Sequence, residues 1–171
     1  MKTIITFITS VLLLTISTQT QEAVMLNKPF VFIDNTNEFN ETNLINYIKS
    51  KELKHPHIVF AQAKLETGNF SSTIFKENNN LFGMKYVKDF RQSKTRPTTA
   101  IGSKYSHAVY KHWKESVDDY LLWQQMFKKT PIAKEEDYFK LLGKRYAEDK
   151  RYVKVLKVII SSDTIQWASK K

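Results

Sequence analysis

Leu44, Ile45 and Ile48 recur at helical spacing within residues 40–53, with Asn40 or Thr42 placed as a cap. Pro56 opens a second helix at a first-turn position that tolerates proline. That helix runs to about Thr67, and Gly68 supplies a left-handed stop. Residues 69–85, "NFSSTIFKENNNLFGMK", are rich in Asn and Ser and read as a long structured loop. Between 86 and 112, Pro97, Gly102 and the alternation Tyr105-Ser106-His107-Ala108-Val109-Tyr110 predict a small antiparallel hairpin. Helical periodicity resumes in "SVDDYLLWQQMFKK", where Ser116 with Asp119 three residues on reads as a capping-box variant. Residues 135–147 predict another helix. Asp149 is placed to cap a last one, with Tyr152, Val153, Leu156, Ile159 and Ile160 on its inner side. The sum is four or five short helices with a hairpin inserted after the second. The class is therefore mainly α, of the α+β kind, with a site expected between a helical lobe and a hairpin lobe.

The first residues break this pattern. A short basic start, Met1-Lys2-Thr3, precedes an apolar run from Ile4 to Ile16 and then Ser17-Thr18-Gln19-Thr20. This is the layout of a secretory signal peptide over residues 1–20, with an apolar core too short for a membrane span; a retained anchor is the alternative. Residues 21–39 read as an irregular N-terminal extension, with a short strand at Pro29 to Ile33, and residues 40–171 as one domain.

At 42% apolar residues the chain has enough to fold, and its four Gly and four Pro exclude a low-complexity class. The absence of cysteine excludes disulfides, thiolate metal sites and a cysteine nucleophile. The formal charge of +10 favours a polyanionic partner. An export signal turns that expectation away from nucleic acid and toward anionic cell-wall polymers. Location is then periplasmic or extracellular, at the cell wall, without stable membrane insertion after signal removal. The basic run 85–96 has Tyr86 and Phe90 interleaved; it reads either as a glycan-tracking segment or as a solvated loop. His55 and His57 flank Pro56 without a suggested third ligand, so no metal is expected.

Chemistry concentrates in "AQAKLETGNFSS". On a helical wheel Ile58, Ala61 and Leu65 form a stripe within about 60°, and Glu66 falls about 80° from Ile58. Glu66 thus sits beside the apolar stripe, flanked by Val59 and Gln62. Partial burial disfavours its ionised form, and so does the negative end of the helix dipole. Both raise the pKa, which suits a general acid that must hold a proton near neutral pH. A surface glutamate in a frayed last turn is the alternative.

Four blocks then stand in order: "AQAKLETGNFSS", "NNLFGMK" at 79–85, "YKHWKESVDDY" at 110–120 and "YAEDKRY" at 146–152. Together they resemble the glucosaminidase family of peptidoglycan hydrolases, glycoside hydrolase family seventy-three. The resemblance covers about residues 40–160 and implies a lysozyme-like fold. It also implies an exported endo-β-N-acetylglucosaminidase that cleaves β-1,4 bonds of peptidoglycan glycan strands without a cofactor. By the same resemblance Glu66 is the catalytic acid and Tyr146 lines the catalytic centre. Asn80, Phe82, Gly83 and Tyr110 are placed on the substrate-binding side. Phe82 would also anchor the loop, and Gly83 would permit a tight turn or close approach of a sugar. Asn80 would bond an N-acetyl group or simply build a turn. Tyr120 and Trp123 read as core from their helical spacing.

The chain departs from the family in one respect. Members often carry a second glutamate in the hairpin lobe, whereas between Lys85 and Tyr110 this chain has a single acid, Asp89. Three routes stay open: Asp89 itself, attack by the substrate's acetamido group, or a water placed by Tyr146 and a backbone carbonyl. The same departure motivates two other functions, a wall-binding module without turnover and transglycosylase-like cleavage to an anhydro-sugar.

Overall fold

The computed structural model describes residues 37–86, 97–127, 129–130 and 132–163. The expected signal peptide, the strand at 29–33, most of the basic run and Asp89 lie outside the described residues. Within them are six helices and one two-stranded sheet: α1 (Glu41–Ser50), α2 (Pro56–Glu66), α3 (Thr73–Asn78), β1 (Gly102–Lys104), β2 (His107–Val109), α4 (Trp113–Gln125), α5 (Glu135–Arg145) and α6 (Tyr152–Ser162). The mainly helical class with a small inserted hairpin is the one the sequence predicts.

Local chemistry sets several boundaries. The Asn40 side chain accepts the Asn43 N–H at 2.8 Å and starts α1. Pro56 occupies the first turn of α2, where its missing N–H costs nothing. The helix stops where Gly68, Asn69 and Phe70 all take positive φ. Thr67 secures that exit, because its hydroxyl donates to the Ala63 carbonyl at 2.6 Å and accepts from the Phe70 N–H at 2.8 Å. The loop expected over 69–85 instead contains α3. Ser72 caps it by accepting the Phe75 N–H, and Phe75 is buried in the core.

The packing of α2 corrects the wheel. Ile58, Val59, Phe60, Ala61, Gln62 and Ala63 are all buried, so there is no single stripe. A helix that is buried all round lies between two layers. Val59, Phe60 and Ala63 face one core with Leu44, Ile48, Phe82, Trp113, Val117 and Tyr120. Ile58 and Ala61 face a second with Tyr138, Leu142, Tyr152 and Leu156. The inner side read for α6 holds: Tyr152 and Leu156 are buried, and Val153, Ile159 and Ile160 pack at the edge.

Two capping expectations do not hold as read. Helix α4 starts at Trp113, capped by His112, whose Nδ1 accepts the Lys114 N–H. Ser116 is inside the helix and fully buried, and its hydroxyl accepts the Leu81 N–H at 3.0 Å. Asp119 is buried as well and accepts from the Tyr110 hydroxyl at 2.7 Å. Both side chains satisfy polar groups of other segments, a stronger demand in the core than a local cap. At α6 the Asp149 carboxylate accepts the Arg151 N–H at 2.8 Å, while Arg151 stands at the cap position.

The hairpin pairs Gly102 with Val109, Ser103 with Ala108 and Lys104 with His107. Its two-residue turn is Tyr105-Ser106, both at positive φ, the twist that a tight hairpin requires. The alternating stretch from Tyr105 to Tyr110 thus supplies the turn and the second strand of the predicted hairpin. Neither residue is glycine, and the Tyr105 hydroxyl and Lys104 ammonium both bond Glu77, tying the turn to α3.

Candidate active site

Three segments converge on Glu66. The first is the last turn of α2, which carries the residue itself. The second is the loop 79–85, which the hairpin holds in place: the Ala108 N–H donates to the Met84 carbonyl at 2.8 Å. The third is the start of α6 with the residue that ends α5. Tyr152 donates from its hydroxyl to Glu66 Oε1 at 2.8 Å. Tyr146 donates from its hydroxyl to the carbonyl of Phe82.

Burial raises the Glu66 pKa, and the bond from Tyr152 lowers it by less, so the net direction is upward. The same burial, with the carboxylate nearby, raises the Tyr146 and Tyr152 hydroxyls, which stay protonated donors. The carboxylate has one oxygen on Tyr152 and the other toward Gly83. A side chain built on Gly83 would place its Cβ 3.2 Å from Glu66 Oε2. Gly83 has φ +60°, so glycine serves both the left-handed backbone and the close approach to Oε2. The close approach expected at Gly83 is thus an approach to Glu66.

The other predicted substrate contacts are buried. Asn80 and Phe82 are 1% exposed and Tyr110 is 2% exposed, so these side chains lie in the core of this structure. Asn80 builds the loop instead. Its Nδ2 donates to the carbonyls of Met84 and Ala108 at 2.9 Å, and its Oδ1 accepts from the N–H groups of Phe82 and Met84. Phe82 packs its ring on Tyr120 with centroids 4.4 Å apart. Its contribution to the site is the carbonyl that receives Tyr146. Tyr120 is core, as expected, but Trp123 is only partly buried and meets the Tyr146 ring edge-on at 5.2 Å.

Sequence reasoning missed Tyr152 and understated Gln62. Gln62 lies one turn before Glu66 in an otherwise apolar run, and a lone amide in such a helix is the signal that a buried partner exists. That partner is the Tyr152 hydroxyl, 3.1 Å from Gln62 Nε2. No described carboxylate lies in the hairpin lobe, residues 97–112. Among the described residues no cluster of three or more His, Cys, Asp or Glu suits a metal ion. His55 bonds the Ile132 carbonyl and His57 pairs with Glu135 at 2.9 Å. A 590 Å³ depression lined by Glu41, Lys64, Leu65, Gly68, Asn69, Ile159, Ser162 and Asp163 does not include Glu66. No described helix is long and apolar enough to cross a membrane.

The model of the family described as mannosyl-glycoprotein endo-beta-N-acetylglucosaminidase matches residues 42–164. Among solved structures, the catalytic domain of the autolysin Auto from Listeria monocytogenes is similar at 23% identity with a TM-score of 0.48. That alignment covers 84% of this chain and 92% of the other. No curated protein matches.

Proposed function

Because the chain belongs to the glucosaminidase family of glycoside hydrolases, we propose that it cleaves β-1,4 bonds of peptidoglycan on the N-acetylglucosamine side, with Glu66 as general acid. Glu66 gives its proton to the bridging oxygen as the bond from that oxygen to the anomeric carbon breaks. The sugar left behind carries positive charge at its ring, and water adds to the anomeric carbon and loses a proton. In this proposal Tyr146, which interacts electrostatically with Glu66, and the Phe82 carbonyl it bonds orient that water.

The observation that carries this reading is the carboxylate itself. It is desolvated, raised in pKa, held by one donor and faced by a residue without a side chain. A glutamate with only a structural role at a helix's negative end would gain nothing from that combination. In the same proposal residues 1–20 direct export and are removed, residues 40–171 form the catalytic domain, and the protein works at the cell wall. Its basic surface would favour anionic wall polymers.

Purified protein and Glu66→Gln are compared on isolated peptidoglycan, with the fragment ends identified. The expected result is reducing N-acetylglucosamine ends from the wild type and a loss of cleavage of at least 10²-fold in the variant. Cleavage by Glu66→Gln at the wild-type rate removes Glu66 from the mechanism. Anhydro-muramic ends replace hydrolysis by transglycosylation, and binding without fragments replaces the enzyme by a wall-binding module.

A further inference from the structure

Glu66 stands at the end of a buried chain of hydrogen bonds whose polarity is fixed at its far end. Gln124 pairs with the backbone of Lys54: its Oε1 accepts from the Lys54 N–H at 2.9 Å and its Nε2 donates to the Lys54 carbonyl at 3.0 Å. A peptide N–H and C=O cannot exchange roles, so this amide has one orientation. Gln124 Nε2 also donates to the Tyr138 hydroxyl at 2.5 Å. The Tyr138 proton is thereby left for the Tyr120 oxygen, 2.7 Å away. Tyr120 in turn donates to Gln62 Oε1, which aims Gln62 Nε2 at the Tyr152 oxygen at 3.1 Å. The one proton of Tyr152 goes to Glu66 Oε1.

From the Gln124 Nε2 bond to Tyr138 onward, each link donates toward the carboxylate, while the second Nε2 hydrogen anchors the amide on the Lys54 carbonyl. Oε1 is therefore occupied as an acceptor, and when Glu66 is neutral its proton sits on Oε2, the oxygen that faces Gly83. We propose that Tyr152 is a positioning residue, the last link of a one-way chain that begins at the Lys54 backbone and keeps the catalytic proton on Oε2. This rests on the reading of Glu66 as the general acid. Buried hydroxyls and amides are retained in cores when every member is satisfied, and this chain satisfies them in one sense only. If the chain is cut, the Gln62 amide is free to turn. Tyr152 then donates to Gln62, and the Glu66 proton is no longer confined to one oxygen.

The groups that face the carboxylate are Tyr152 from α6, Tyr146 from the end of α5 and the side-chain-free Gly83 of the loop. The influences on its titration are burial and the Tyr152 bond. A donor bonded to a carboxylate favours its ionised form, so losing that donor moves the limb where the acid becomes inactive to higher pH.

The test uses Tyr152→Phe and Tyr120→Phe in the full chain, with kcat and KM on peptidoglycan measured across pH. Both variants keep their rings in place, and circular dichroism melts establish folding. For Tyr152→Phe the expectation is a tenfold or greater loss of kcat, a basic limb about one pH unit higher and KM within twofold. Tyr120→Phe, which touches neither Tyr152 nor Glu66, should move the limb in the same direction by less. A wild-type limb and kcat in either folded variant overturn the proposal. If Glu66→Gln is inactive while both tyrosine variants behave as wild type, the chain is only structural and the general acid stands. If Glu66→Gln retains cleavage, the underlying reading itself fails.

Discussion

Replacing Gly83 with alanine separates backbone strain from crowding of the acid. At φ +60° an alanine pays the left-handed penalty of about 1–2 kcal/mol. For a unit of this size that is a Tm loss of roughly 4–10 °C. The added Cβ also meets Glu66 Oε2 at 3.2 Å, closer than ordinary van der Waals contact, so the carboxylate must shift by a few tenths of an ångström. A misplaced acid on that scale is expected to lower kcat by about 10- to 100-fold. Gly68 supplies the control. It has φ +55° and its nearest atom would be Ser71 Oγ at 3.6 Å, an ordinary contact. Gly68→Ala should lose similar stability while kcat stays within about threefold, since only the backbone strain is shared. Thermal melts and release of reducing ends from peptidoglycan read both quantities. A Gly83→Ala protein with wild-type kcat refutes the reasoning, and so does a Gly68→Ala protein that loses as much kcat as Gly83→Ala.

Glu66→Gln should also be more stable than the wild type at neutral and alkaline pH. Burial raises this carboxyl above its unfolded value, so the folded protein binds more protons between the two pKa values and stability from this group falls as pH rises through that window. The Tm gain should shrink as pH drops to about 4, near the unfolded value, and a gain independent of pH speaks against a buried, raised acid. Asn80→Ala strips four bonds from the loop, leaving the Phe82 and Met84 N–H groups without their acceptor. A loss of about 2–4 kcal/mol in denaturant unfolding is expected, with reduced turnover; a loss under about 1 kcal/mol shows that the loop does not depend on this residue.

Much of the candidate site could be named before any fold was known. Glu66 stands out because a carboxylate before a stop glycine is in the wrong place for stability. Gly83 stands out as a glycine in a short block with a distinctive pattern. Asn80 and Phe82 lie in the same block, and in the fold both side chains are buried and hold the loop from the core. Nothing local distinguishes those roles, because a buried asparagine and a ligand-binding one share the same residue type and the same turn. Tyr152 read as an inner-face residue of α6, and its hydroxyl became part of the site only through a partner 86 residues away.

The sequence by itself determined what depends on neighbours along the chain. A cap at the start of α1, at Asn40 or Thr42, the Pro56 start, the Gly68 stop and the placing of an acid in the final turn of α2 are all written within a few residues. Tertiary structure decided everything that depends on competition between distant groups. Ser116 left its predicted capping role because the buried Leu81 N–H needed an acceptor. Helix α2 lost its single stripe because two cores close on it from both sides. The direction of the hydrogen bonds reaching Glu66 was set by the backbone of Lys54, since only a packed, water-excluded interior obliges each polar group to find its partner there.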